Sequence, residues 1–292
     1  MNQARSIYAK LESLTQLPTL PPVIGRLQEA IRDPECGARR VCAIVEDDPA
    51  MMMRILRVVN SPLYAGLAPV SSLELAVTRL GFTTIVNIAI STAVFSMFGR
   101  PRQDGFDRVG FWRHSISTGI AAQVLYERAR PGLKSRYPVD LLHLVGLLHD
   151  LGKIVLEQHF NAAFLKAVEQ AASRKVALDA AERDMLGTDH AEVGSWLGMR
   201  WNLAPEVLQV VRWHHDPAQA SLDNRELIML VHAADYICNL EHVGDGGNGT
   251  APAFQQSTWI ELGLSARDIP AVLDEVTARS GESEVLLAIA QP

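Results

Sequence analysis

The stretch Leu142–Lys153, LHLVGLLHDLGK, places a histidine, an aspartate and a lysine at the end of an apolar run. Its apolar residues recur as in a buried helix. Helical spacing of this kind dominates the chain, and the alternating pattern of half-buried strands is scarce. A carboxylate in apolar surroundings is costly unless a cation, a donor or a metal compensates it. Any fold for this chain therefore has to bring a partner to Asp150.

Local signals divide the rest into helices. Asp48 can cap a helix opened by Pro49, with Met52, Ile55, Leu56 and Val59 on one face. Ser71 and Glu74 stand at capping-box spacing, with Gly81 as a stop. Asp189 and Glu192 repeat the spacing and put His190 in a first helical turn. Pro205 opens a helix that ends at His214 and His215, and Arg225–Leu240 reads as an apolar helix carrying Asp235. Two helices are expected to close the chain after Ser265. The breakers Gly99–Gly105, GRPRQDG, separate two helical halves, and RPGLKSRYP and HVGDGGNGTAPAF read as mobile loops. The expectation is an all-α protein with one helical subdomain over residues 1–103 and a second over 104–292.

The chain has 292 residues, of which 48% are hydrophobic, enough for two subdomains. A net charge of −6 argues against a nucleic-acid partner. Cys36, Cys42 and Cys238, with no CxxC, suit reduced buried thiols in a cytoplasmic protein. The N-terminal stretch lacks the apolar core of a signal peptide. No charge lies between Arg79 and Arg100, a length that would allow a membrane span. Thr83, Asn87 and Ser91 put a polar stripe on that segment, so a buried helix and no membrane are expected.

Histidines and aspartates gather at the ends of apolar helices in the second half: His114, His149, Asp150, His190, His214, His215 and Asp235. Imidazoles and carboxylates together form the ligand set of Zn²⁺, Fe²⁺ or Mn²⁺. A carboxylate can bridge two metals and an imidazole cannot, which gives Asp150 a central place. A helix C-terminus also attracts cationic histidines without a metal, and one of His214 and His215 could point away. His232, one turn before Asp235, fits either support for a ligand or an interior histidine. His143, His159 and His242 are read as structural. Lys153, one turn from His149, can share its face or pair with a surface carboxylate.

The ordered segments WRHS, LLHDLGK, TDHAEVG, RWHHDP and HAADYI resemble the HD superfamily of metal-dependent phosphohydrolases. With LPTLPPVIGRLQEAI, VEDDPAMMMRILRVVNSPLYAG and PVSSLELAVTRLGFTTIVNIAIS they resemble, more narrowly, the HDOD family of bacterial signalling output modules. The likeness runs from about Leu17 to the C-terminal helices. It implies an HD-type helical domain preceded by an HDOD-specific helical subdomain. His114, His149, Asp150 and Asp235 match the basic HD metal site. His190, His214 and His215 match the extra ligands of two-metal HD-GYP phosphodiesterases, and Lys153 matches their phosphate-contacting lysine.

The resemblance thus implies two divalent ions (Fe, Mn or Zn), with Asp150 and Lys153 as the catalytic pair if the protein hydrolyses a phosphate ester. The chain departs from HD-GYP enzymes after His215, where Gly-Tyr-Pro is missing, so cyclic di-GMP specificity is unsupported. Gly110 stands where some relatives carry the glutamate of a third metal. The leading role implied is a signal-transduction module that binds partner proteins through its N-terminal half, around NSPLYAG and Met51–Met53. A phosphohydrolase acting on a nucleotide or other phosphate-containing small molecule is the alternative, and a homodimer stays open. Metal binding needs neutral histidines, so loading should weaken below about pH 6.

Overall fold

The computed structural model describes residues 7, 9, 11–12, 18–33, 35–61, 64, 69–98, 105–133, 136–251, 255–279 and 287–288. It contains no strand among them, and the chain is all-α. The described residues group into two compact units, one within residues 18–100 and one within 101–278. Near the chain ends the grouping differs from the expected halves. The buried Ile7 and Leu11 group with the second unit and the buried Leu287 with the first.

The first unit holds α1 (Pro22–Ile31), α2 (Ala38–Glu46), α3 (Pro49–Val59), α4 (Leu73–Leu80) and α5 (Phe82–Phe98). Helices α1, α3 and α4 pack on α5, whose Ile85, Val94 and Phe95 are fully enclosed. Asp48 caps α3 through the Met51 amide, with Pro49 in the first turn, as its spacing predicts. The buried face of α3 is Met51, Ile55, Val58 and Val59, which leaves Met52 and Leu56 half-buried. The cap of α4 is Ser72, one residue beyond the predicted Ser71, and Gly81 ends it at φ +83°.

Asn60 accepts from the Val70 amide and donates to the Val70 and Leu56 carbonyls, which clamps the chain at both ends of the following turn. Of that turn, Pro62, Leu63, Ala65 and Gly66 lie outside the described residues, as do Gly99–Asp104 and most of the second closing helix. Among the described residues no single helix is long and apolar enough to cross a membrane. Helices α4 and α5 pass that test only as a pair, bent by 118° at their break.

The second unit is built around α6 (Arg108–Arg128), buried along most of its length. On it pack α7 (Val139–Leu148), α12 (Arg225–Leu240) and α14 (Ile269–Ala278). Helix α8 (Leu151–Arg174) carries α9 (Leu178–Leu186) and α10 (His190–Arg200); α11 (Pro205–Trp213) lies on α10, and α13 (Gln256–Leu262) on α12. Two glycine contacts set the spacing. A Cβ on Gly146 of α7 would overlap the Gly119 backbone of α6, and one on Gly152 of α8 would overlap the His190 carbonyl of α10. These close crossings bring the ends of α7, α8 and α10 to one point.

Candidate metal centre

At that point α7 ends and α8 begins with only His149 and Asp150 between them. Asp150 occupies the N-cap position of α8, yet its side chain caps nothing. Its carboxylate turns inward instead. Asp150 Oδ2 lies 3.2 Å from His149 Nε2 and 3.8 Å from His114 Nε2, the latter on α6. Asp150 Oδ1 faces the other way, 3.1 Å from His190 Nε2 and 3.5 Å from His214 Nε2. Asp235 on α12 completes the first side, its Oδ1 3.1 Å from His114 Nε2 and 3.6 Å from His149 Nε2. His215 completes the second, its Nε2 2.8 Å from that of His190.

The result is two groups of potential ligands that share Asp150. One is His114, His149, Asp150 and Asp235; the other is Asp150, His190, His214 and His215. In each, all the ligand atoms lie within 4.8 Å of one another. All seven residues proposed from the sequence meet here, including both members of the His214–His215 pair.

The donor set fits divalent cations. Three histidines turn Nδ1 toward an acceptor: His149 to the Gly146 carbonyl (2.6 Å), His214 to the Val211 carbonyl (3.0 Å) and His190 to Glu182 Oε2 (2.6 Å). An oxygen there can only accept, so Nδ1 carries the hydrogen and Nε2 is left to face the centre. His149 Nε2, His214 Nε2 and Asp150 Oδ1 are buried and make no well-formed hydrogen bond, only the close approaches to one another and to neighbouring ligand atoms given above. A buried polar atom left unsatisfied is destabilising, and a cation at each group would satisfy them.

The charges of the metal-free site show what a cation would replace. Burial opposes protonation of His149, but Asp150 and Asp235 overcome it and raise its pKa to about 9. Burial likewise opposes protonation of His190, and Glu182 with Asp150 raises it to about 10. Burial, reinforced by the neighbouring histidines, lowers His214 and holds His215 well below the usual range. Burial disfavours the charged carboxylates too. The surrounding cations nevertheless hold Asp150 and Asp235 well below the usual carboxylate range. Protons on His149 and His190 thus stand where metal ions would compensate the two aspartates.

Lys153 is fully buried and donates to Asp150 Oδ2 (2.6 Å) and to the Gly246 carbonyl (2.8 Å). Its carboxylate partner is the central aspartate, not a surface residue. Burial opposes its charge, and Asp150 and Asp235 more than offset this and raise its pKa. His232 donates Nδ1–H to the His214 carbonyl (2.7 Å), bracing the turn that carries both histidines.

Several residues that complete the site have no signature in the sequence reading. Glu182, fully buried on α9, accepts from both the amide and the ring of His190. Asn239, one turn after Asp235, donates to Asp235 Oδ1 (2.6 Å), and Asn248 donates to Asn239 (2.9 Å). Residues 244–249, read from the sequence as part of a mobile loop, instead pack against α6 at Gly244–Gly246 and against α8 at Gly247 and Gly249. Asp245 donates its amide to the Gly110 carbonyl, and a side chain on Gly244 (φ +76°) would run into the His114 backbone. The Gly-Gly-Asn-Gly run that suggested freedom is what permits this close approach.

The sequence pattern of the HDOD domain matches residues 17–217. An uncharacterised protein of Treponema pallidum is 27% identical over 77% of this chain, and the chain spans only 42% of that relative's length. Among solved structures, an HDOD domain protein of unknown function from Geobacter sulfurreducens is 25% identical. It has a TM-score of 0.76 and covers 99% of this chain, with 97% of its own chain matched. A Marinobacter aquaeolei protein provisionally described in signal transduction gives 22% identity and 0.78 over 99% of this chain and 66% of its own. A Shewanella amazonensis protein provisionally described as a phosphohydrolase gives 22% and 0.68 over 97% and 98%. The last two likenesses establish the fold.

Proposed function

This chain belongs to the HDOD family, and from that premise we propose that it is a bacterial, cytoplasmic signal-transduction output module. It acts through partner-protein binding and carries a two-ion HD-type metal centre. The observation that carries this reading is the enclosure of the centre. Six of its seven ligands are buried, and Lys153, the cation expected to meet a phosphate, is committed to Asp150 and the Gly246 carbonyl. His114, His149, Asp150 and Asp235 would hold one ion and Asp150, His190, His214 and His215 the other. Fe, Mn or Zn suits the mixed nitrogen and oxygen donors. When bound, such ions supply charge and Lewis acidity. The chain's own residues orient the imidazoles through Glu182, Gly146 and Val211. The first unit offers the partner surface, where Met53 is 59% exposed on α3 beside the buried Met51. Methionine suits an adaptable contact of this kind.

A second reading, a phosphohydrolase of a nucleotide or other phosphate ester, is favoured by the completeness of the ligand set. The provisional description of the Shewanella relative points the same way. Turnover of bis(p-nitrophenyl) phosphate by metal-loaded protein decides between the two. The signalling reading expects wild type and Lys153→Ala to match the buffer rate. Metal-dependent cleavage by wild type that is lost in Lys153→Ala would replace it with the hydrolase.

A further inference from the structure

The two ligand groups differ in what covers them. His114, His149, Asp150 and Asp235 are each no more than 1% exposed. Within residues 244–249, Gly244 packs on the His114 backbone and Gly246 on its ring, where a Cβ would sit 3.3 Å from Nε2, one of the ligand atoms. In the second group Asp150, His190 and His214 are as deeply enclosed, but His215 is only half-buried, so this group is the one that reaches toward solvent.

The covering loop is tied down at named points. Lys153 Nζ links the Gly246 carbonyl to Asp150 Oδ2. Asn248 Nδ2 donates to Asn239 Oδ1, and Asn239 donates to Asp235 Oδ1. Both tethers end on a carboxylate oxygen of the first group. Asp245 adds a backbone bond to Gly110, and its Oδ1 accepts from the Gly247 amide, which holds the turn in shape.

A hydrated divalent ion cannot reach four enclosed ligand atoms without moving something. The other walls of the group are helices, whereas this loop has no helical hydrogen bonds of its own and is held by these polar links and by close packing at Gly244 and Gly249, so it is the element that can move without unwinding a helix. We propose that residues 244–249 form a strap that gates the first ligand group, so that the two halves of the centre take up ions at different rates. The second half fills from the side of the half-buried His215, with the strap in place. The first fills only when the strap lifts, which breaks the Lys153–Gly246 and Asn248–Asn239 links. This inference rests on the two-ion reading of the centre.

Cobalt(II) uptake by the metal-free full-length protein tests it. Visible absorption follows the rate, total bound cobalt gives the stoichiometry, and hydrogen exchange reports on residues 244–249. Wild type should bind two ions in two phases. Asn248→Ala keeps every proposed ligand and removes two links of the strap, the one to Asn239 and the one its Oδ1 accepts from the Leu178 amide (3.4 Å). It should accelerate exchange of the 244–249 amides and the slow phase alike, severalfold to about tenfold, as expected for the loss of part-buried hydrogen bonds. The fast phase should stay put. Two ions bound in a single phase would overturn the strap and leave the two-ion reading standing. Fewer than two ions at saturation would overturn both. A slow phase that does not respond while the loop amides exchange faster would overturn the gate, and unchanged amide exchange would overturn the tether.

Discussion

The two halves of the metal centre use one aspartate in common and otherwise differ. The first adds Asp235 and two histidines, so it has two carboxylates, lies under a loop and is in contact with a buried lysine. The second adds three histidines, has only the shared carboxylate, opens toward solvent at His215 and is backed by Glu182. Oxygen-rich sites suit harder ions and imidazole-rich sites suit borderline ones. The difference teaches that a symmetric reading, two equal ions around one bridge, misses how each half is held. The first is held by charge pairing with Lys153, the second by the orientation of His190.

The largest effect should come from the residue the halves share. Asp150→Asn removes the bridging charge and leaves Lys153 buried without its carboxylate. Breaking a buried pair in this way costs roughly 3–5 kcal/mol. Elemental analysis should find no bound metal, and denaturant unfolding should show the loss of stability. Retention of one ion would mean that the halves are more independent than a shared bridge allows.

Next come substitutions confined to one half. His114→Ala should reduce bound metal from two ions per chain to one, and His190→Ala should do the same by emptying the other half. The two variants should then differ in which metal they prefer, measured by competition between Mn²⁺ and Zn²⁺. Identical preferences would erase the contrast. A subtler change, Glu182→Gln, keeps every ligand and weakens the support of His190. Affinity in the second half should fall about 10- to 100-fold, with the first half unaffected. Equal losses in both halves, read by isothermal titration, would break the comparison.

A different kind of contrast comes from pH, acting on the protein without bound metal. His149 and His190 have folded pKa values raised from 6.5 to about 9 and about 10. Their contribution is fully present below about pH 6.5 and is lost as pH rises through 9 and 10. The unfolding temperature of the metal-free protein should therefore decline over that window, with the first half discharging before the second. Metal affinity should run the opposite way and rise with pH to about 9–10, because ions displace these protons. The onset of proton competition thus lies above the value near 6 that unperturbed histidines suggest. A metal-free protein whose unfolding temperature is flat from pH 6.5 to 10 would argue against protonated His149 and His190.

Much of this was legible in the sequence, for identifiable reasons. Apolar periodicity foretells helices because each must bury one face, and Asp48, Asp189 and Pro205 mark helix starts because their chemistry there is local. His149 and Asp150 stood out because they break an apolar run and a buried charge demands a partner, and the remaining ligands were named through the resemblance of their segments to HD proteins. What stayed hidden depends on distance in the chain rather than spacing. Glu182 belongs to a different helix from His190, and nothing about its own neighbours sets it apart. The glycines of residues 244–249 carry two meanings, freedom and close packing, and only the contact with α6 decides between them. The choice of Ser72 over Ser71 as a cap is a one-residue matter of which hydroxyl reaches the Leu75 amide.

The central proposal is that Asp150 would be shared by two ions. Anomalous diffraction from crystals grown with Mn²⁺ tests it most directly. The account predicts two peaks, each at coordination distance from a different oxygen of Asp150. One peak should be shared with His114, His149 and Asp235, and the other with His190, His214 and His215. A single peak, or two peaks that leave one Asp150 oxygen without a metal, would contradict it.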